Sequence, residues 1–314
     1  MNLYFLRKII GSILMLAFLM SLLFFMLRLA PGGPFDGEKN FPEEVMENIR
    51  ATYGLNRPLI DQYFLWVGRI LRGDLGESFQ YLGRPVTELL RESMGPSLLL
   101  GAFAFFISFI FGIFTGVISA RSSGTTASAW LDRIFFFIAQ AGLSLPSYLI
   151  ASLLVVLFAL KWPLFPPALW EGPSTWVLPI ITLSVRPFAL VFSLTRAELI
   201  EQFQNDYIRT AFAKGLSKRM VFFKHALKNS LIPVVTYSGP ILANLITGSF
   251  LVELVFQIPG LGKYFVSAIL NRDYPVVLGV TLFYGVILIT SNLLSDLVCG
   301  LLDPRIRDSE GATK

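Results

Sequence analysis

This sequence has little of the side-chain chemistry that enzymes rely on. Its 314 residues include one cysteine, Cys299, and one histidine, His225. A lone cysteine excludes an internal disulfide, and the two residues together are too few for a metal cluster or a Cys/His nucleophile. Charge is scarce too: 15% of residues are Asp, Glu, Lys or Arg, against about 25% in a soluble domain. No G-x-x-x-x-G-K-[ST] phosphate loop, G-x-G-x-x-G turn, G-x-S-x-G elbow or H-E-x-x-H helix occurs. The chain is therefore not expected to be an enzyme by itself, and if it moves solute actively another subunit supplies the energy.

What is abundant is apolar surface, 54% of residues. Ser97 to Ala120 runs 24 residues without a charge and Ile134 to Leu160 runs 27. Runs of that length span a bilayer as helices, so the chain reads as an all-α, polytopic membrane protein. The net charge of +5 does not indicate nucleic acid, because the basic residues gather beside the apolar runs, where they set topology.

Six spans are expected. Ile9–Leu27 follows Arg7-Lys8, is longer than a signal-peptide core and lacks a convincing cleavage site, so 1–30 reads as a retained first helix with its N-terminus inside. Ala30-Pro-Gly-Gly-Pro34 ends it. Residues 31–96 form the one long polar segment, with amphipathic pieces at Pro42–Tyr53, Pro58–Leu71 and Pro85–Glu92, each too short to span and expected to lie at the outer interface or to pack on the outer mouth. The core, 97–302, holds spans near 97–120, 134–160, 176–196, 231–256 and 276–302, with an inner loop at 197–230 and an inner tail at 303–314. Fourteen Lys/Arg fall in or at the edge of the inner segments and three in the short outer loops. That bias places both termini in the cytoplasm.

Within the spans, Gly112-x-x-x-Gly116 permits close helix contact, and Pro146, Pro179, Pro187, Pro233 and Pro240 require neighbours to satisfy freed carbonyls. Arg186 stands near the centre of Trp176–Thr195. A central Arg costs roughly 2.5–3.5 kcal/mol on the insertion scale, and the eleven Leu, Ile, Phe and Val around it offset roughly 3–7 kcal/mol. A charge tolerated so narrowly suggests a water-lined pathway or a structural ion pair, with Glu253 and Asp296 the available acids.

The inner loop carries the densest polarity. From Asn205 to Pro233, Arg209, Lys214, Lys218, Arg219, Lys224, His225 and Lys228 are interleaved with apolar residues at helical spacing: Ile208, Ala211 and Phe212 before Gly215, and Met220, Phe223 and Leu227 after it. Two short amphipathic helices bent at Gly215 would form a basic knob, either lying on anionic lipid or docking a partner protein.

The motif Arg209-Thr-Ala-Phe-Ala-Lys-Gly215, continuing to His225-Ala-Leu-Lys-Asn-Ser-Leu-Ile-Pro233, resembles the cytoplasmic loop of ABC importer permeases, usually written E-A-A-x-x-x-G. Arg209-Thr210-Ala211 stands where Glu-Ala-Ala would be, a variant similar to the peptide-importer subgroup. Arg28-Leu-Ala-Pro-Gly-Gly-Pro34, Ile246-Thr-Gly-Ser-Phe-Leu-Val-Glu253, Pro259-Gly-Leu-Gly262, Asn271-Arg-Asp-Tyr274 and Asp303-Pro-Arg-Ile306 agree, so the likeness, to the first permease subunit of an oligopeptide or dipeptide importer, covers nearly the whole chain.

The resemblance implies the type I importer architecture of six spans and a bacterial cytoplasmic membrane. It implies a second, related permease and two ATPase subunits that bind ATP and Mg, with no cofactor in this chain. An extracytoplasmic peptide-binding protein and membrane lipid complete the expected partners, and nucleic acid is not among them. Arg209, Thr210, Ala211, Ala213, Lys214, Gly215, Lys218, Arg219 and His225 become the ATPase-coupling residues; Arg186, Glu253 and Asp296 remain pathway candidates. Competing readings are a stand-alone ion-coupled transporter and a permease for nickel complexes or glutathione.

Overall fold

A computed structural model of the chain describes residues 2–35, 47, 51, 54–81, 83–122 and 129–302. Among them the regular secondary structure is helical, apart from one isolated bridge between Glu77 and Pro85. The helices are α1 (Asn2–Leu29), α2 (Leu59–Ile70), α3 (Val86–Ser122), α4 (Ala129–Ser144), α5 (Ser147–Val155), α6 (Pro173–Gln204), α7 (Asp206–Ala213), α8 (Lys228–Ile246), α9 (Phe250–Val255), α10 (Leu261–Leu270) and α11 (Tyr274–Leu302). Five helical stretches are long and apolar enough to cross a membrane, or up to six if the bent pair α4–α5 counts as one.

Two expectations change. The piece at 85–92 is not a separate short helix; it is the first turns of α3, which continues through Pro96. Its apolar stripe, Val86, Leu89 and Leu90, is buried against Leu261, Ala268, Val276, Val277 and Val280. The span at 134–160 is broken: α4 and the stretch Ser147–Lys161 meet at 110°. Pro146, extended at φ −61° and ψ 141°, has no N–H to continue α4 and starts α5 instead. The span at 231–256 falls within one stretch long and apolar enough to cross, Lys218–Val255, its helix interrupted after Ile246, where Gly248 adopts φ +79°. The piece at 58–71 is α2, whereas Pro42–Tyr53 lies outside the described residues except for positions 47 and 51.

The most extensive helix pairing is between α3 and α6, and small residues permit it. A Cβ on Gly112 would stand 2.8 Å from the Val191 side chain, and one on Gly116 2.8 Å from that of Thr195, so the Gly-x-x-x-Gly pair is the contact surface. Similarly, α8 approaches α11 at Gly239, where a Cβ would be 2.9 Å from the Asn292 backbone. Lys8 of α1 pairs with Asp296 of α11, while Thr236 and Ile232 of α8 contact Cys299. The beginnings of α1 and α8 and the end of α11 therefore share one end of the bundle. The other end holds α2, α9 and α10.

Two buried carboxylates brace that far end. Asp273 accepts from Ser78 Oγ and from the N–H groups of Phe79 (3.1 Å) and Gln80 (3.2 Å), tying the loop after α2 to the start of α11. Glu253 accepts from Ser97 Oγ at 2.9 Å and from the Lys263 N–H at 2.9 Å, while Ser97 Oγ in turn accepts from the Leu261 N–H at 2.9 Å.

Candidate functional site

The knob grows out of two spans. At Asn205 the backbone turns extended (φ −73°, ψ 143°) and ends α6; Asp206 then begins α7, an acid in the first turn as the helix dipole favours. Gly215 adopts φ +77°, with no atom within 4 Å of where its Cβ would stand. Conformation rather than crowding favours glycine here. Ser217 then caps the next turn, its Oγ accepting from the Met220 N–H at 3.3 Å.

The second half of the knob is not a separate short helix. Lys218–Met220 runs through a wide π-turn, Val221–Leu227, directly into α8, so this half is the end of a membrane-spanning rod. The wide turn also shifts the buried face. Before Gly215, Ile208 and Ala211 of the expected apolar set are buried, whereas Phe212 is exposed. After it, Val221, Phe222 and Ala226 are buried, and Met220 and Phe223 point outward with Phe212. An i→i+5 turn advances the helix past the 3.6-residue rhythm that a sequence reading assumes.

The docking candidates sort accordingly. Arg209, Thr210, Ala213, Lys214, Gly215, Lys218 and Arg219 are exposed, Ala211 is buried in the root of the knob, and His225 is half-buried. The exposed face is apolar at Phe212, Met220 and Phe223, with cations around it.

The root is held firmly. Phe222 stacks on Phe203 at 6.2 Å and lies under the Arg121 guanidinium at 4.5 Å. Tyr207 donates to Gln202 Oε1 at 2.6 Å and accepts from Asn229 Nδ2 at 3.2 Å, clasping α6 to α8. Two turns up α6, Arg196 donates to both oxygens of Asp132, at 2.7 and 2.9 Å, and Ser119 Oγ donates to the same carboxylate. The three residues join α3, α4 and α6. Arg196 stands at the edge of an inner segment, and nothing local in the sequence marks Asp132, 64 residues away, as its partner.

A cavity of about 530 Å³ opens at mid-bundle between the α4–α5 break, α6 and α8. Arg186 lines it together with Thr182, Tyr237 and Asn244. Ser147 just after the break and Ser249 just after α8 line it too. Among the described residues that line it, none is acidic. The expected acidic companions are elsewhere: Glu253 is 2% exposed and sealed among Gly248, Gly260, Gly262 and Ser97, and Asp296 is paired with Lys8 at the knob end. A charge relay through Arg186, Glu253 and Asp296 is therefore not assembled, and Glu253 serves as a packing carboxylate. Among the described residues no group of three or more His, Cys, Asp or Glu is placed to hold a metal.

Comparisons with known proteins agree with this architecture. Residues 112–308 match the family model described as binding-protein-dependent transport system inner membrane component, and residues 1–86 match the model of the N-terminal part of such a membrane component. The chain is 43% identical to the dipeptide transport system permease protein DppB of Bacillus subtilis, over 91% of this chain and 92% of that one. It is 40% identical to the oligopeptide transport system permease protein OppB of Escherichia coli K12, over 97% and 99%. Among solved structures, an inward-facing conformation of the MetNI methionine ABC transporter shares the fold, with a TM-score of 0.54 at 16% identity, over 69% of this chain and 97% of that one.

Proposed function

Because the chain belongs to the family of binding-protein-dependent transport system inner membrane components, we propose that it is the permease subunit of an ATP-driven peptide importer. It forms the passage with a second, related permease, and separate ATPase subunits supply ATP and Mg chemistry. An extracytoplasmic binding protein delivers the peptide to the end of the bundle that holds α2, α9 and α10. The knob end faces the cytoplasm, in keeping with its excess of Lys and Arg.

The observation that carries the reading is the knob's construction. Its exposed face, with Phe212, Met220 and Phe223 inside a basic rim, suits a cleft on a partner, with the cations contributing orientation more than affinity. Its root is continuous with α8 and clasped to α6, so a displacement of the knob reaches the helices that line the Arg186 cavity without a flexible linker. That cavity, open and with Arg186, Tyr237 and Asn244 set in a mostly apolar wall, forms this subunit's share of the passage.

Cross-linking tests the docking. In the assembled transporter, Ala213→Cys in a Cys299→Ala background should cross-link to an ATPase subunit, and ATP should change the yield. Cross-links to lipid alone would overturn the assignment.

A further inference from the structure

A second cavity, about 210 Å³, lies at the far end of the bundle, under the last turn of α1. Three arginines line it, Arg28 of α1, Arg57 before α2 and Arg69 of α2, together with Gln62, Trp66, Asp74 and Glu77. Nε and Nη1 of Arg28 are buried and have no hydrogen-bond partner among the described residues, and neither has Oε1 of Gln62. None of the three arginines has an ion pair among the described residues. The rings of Phe24 and Tyr274 lie 4.9 and 5.7 Å from the Arg28 guanidinium. They stabilise the cation but accept none of its N–H bonds in the plane where those nitrogens point. A guanidinium largely withdrawn from water carries a desolvation penalty that an oxyanion on its cavity side reduces by charge.

The rim indicates where that oxyanion comes from. Helix α2 has no buried residue. One side, Tyr63 and Trp66, stacks on Phe24 and Phe25 of α1, while Ile60, Phe64, Leu65 and Leu71 stand exposed. Leu65 belongs to both the exposed face and the cavity wall. A short amphipathic helix with that apolar face lies in acyl chains at the membrane interface, and α1 ends beside it with Arg28 in its last turn, the depth of the headgroups. Asp74 and Glu77 make the cavity bipolar, although one Asp74 oxygen already accepts the Gly76 N–H at 2.8 Å.

We propose that this cavity is a binding site for a phospholipid headgroup of the outer leaflet. The phosphodiester sits against Arg28, with Arg57 and Arg69 at its mouth. An ammonium on the same headgroup faces Asp74 and Glu77, so an aminophospholipid fits better than a headgroup with net negative charge. The acyl chains lie along the exposed face of α2. The site is remote from the Arg186 cavity and independent of the cargo.

Native mass spectrometry of the delipidated transporter, with its permease and ATPase partners, tests this. The probes are dihexanoyl phosphatidylethanolamine, dihexanoyl phosphatidylglycerol and inorganic phosphate. The wild-type complex should take up one phosphatidylethanolamine that Arg28→Gln binds about tenfold more weakly, the loss expected for one charge-assisted pair. Because Arg28 is partly buried, the doubly exposed variant Arg57→Gln/Arg69→Gln serves as the second test and should also bind more weakly. Equal binding by wild type and both variants would overturn the site. Binding of inorganic phosphate with no uptake of either lipid would overturn the headgroup as its source, and preference for phosphatidylglycerol would overturn the role given to Asp74 and Glu77.

Discussion

Arg196 and Asp132 meet through two hydrogen bonds, at 2.7 and 2.9 Å, across the junction of α6 and α4. Arg196 also lies 5.5 Å from the Phe136 ring. The pair closes the base of the bundle next to the root of the knob, and both side chains are mostly shielded. Removing either partner leaves the other charge without its counterpart in a partly desolvated place. Arg196→Gln and Asp132→Asn should each destabilise the protein by about 1–3 kcal/mol. The double variant should lose less than the sum, measurable as a coupling energy from denaturation in detergent micelles.

Gly215 is left-handed and surrounded by open space, so two substitutions separate strain from bulk. Gly215→Asn tolerates the conformation and should keep most uptake. Gly215→Trp strains the turn by about 1–2 kcal/mol and places a large ring on the docking face. It should insert normally yet uncouple ATP hydrolysis from uptake in proteoliposomes. Equal uptake by the Trp variant and wild type would remove Gly215 from the coupling element.

Arg186→Gln should insert at least as readily as wild type, since the charge it removes costs roughly 2.5–3.5 kcal/mol at mid-span. Uptake should nevertheless fall, because the one cation among the described residues lining the cavity is lost. Insertion scored by a glycosylation reporter, alongside peptide uptake, distinguishes the two effects; unchanged uptake would exclude Arg186 from the passage.

Glu253→Ala should leave Ser97 Oγ and the Lys263 N–H without their acceptor, at about 1–3 kcal/mol for the unmade bonds. Gly260→Ala should be comparably harmful, because its Cβ would collide with the Glu253 carboxyl group. Both variants should show lowered thermal stability in detergent. Neither should alter any dependence of uptake on a proton gradient, which a relay role for Glu253 would require.

How far each part could be read in advance depends on the range of the interaction behind it. The spans of α1, α6 and α11 were legible as runs of uncharged apolar residues, and the Gly112/Gly116 contact as a spacing. The break at Pro146 was visible as a proline, but a kink and a 110° turn leave the same mark in a sequence. The face of the knob after Gly215 was misread by one residue, because the π-turn at Val221–Leu227 violates the period on which the reading rested. Asp273 and Asp132 were not legible at all as partners: their ligands lie 194 and 64 residues away along the chain.

By itself the sequence settled that this chain is a bundle of membrane-crossing helices with a basic knob of the permease type, because apolar run length, glycine placement and a local motif are properties of neighbouring residues. Only the tertiary structure decided that Glu253 and Asp296 are engaged by partners other than Arg186, that the second half of the knob is the end of a spanning helix, and that Arg28 lines a cavity with two other arginines. Those outcomes depend on which distant segments approach within hydrogen-bonding distance. A charge has the same letter in the sequence whether the fold pairs it, seals it or leaves it facing open space.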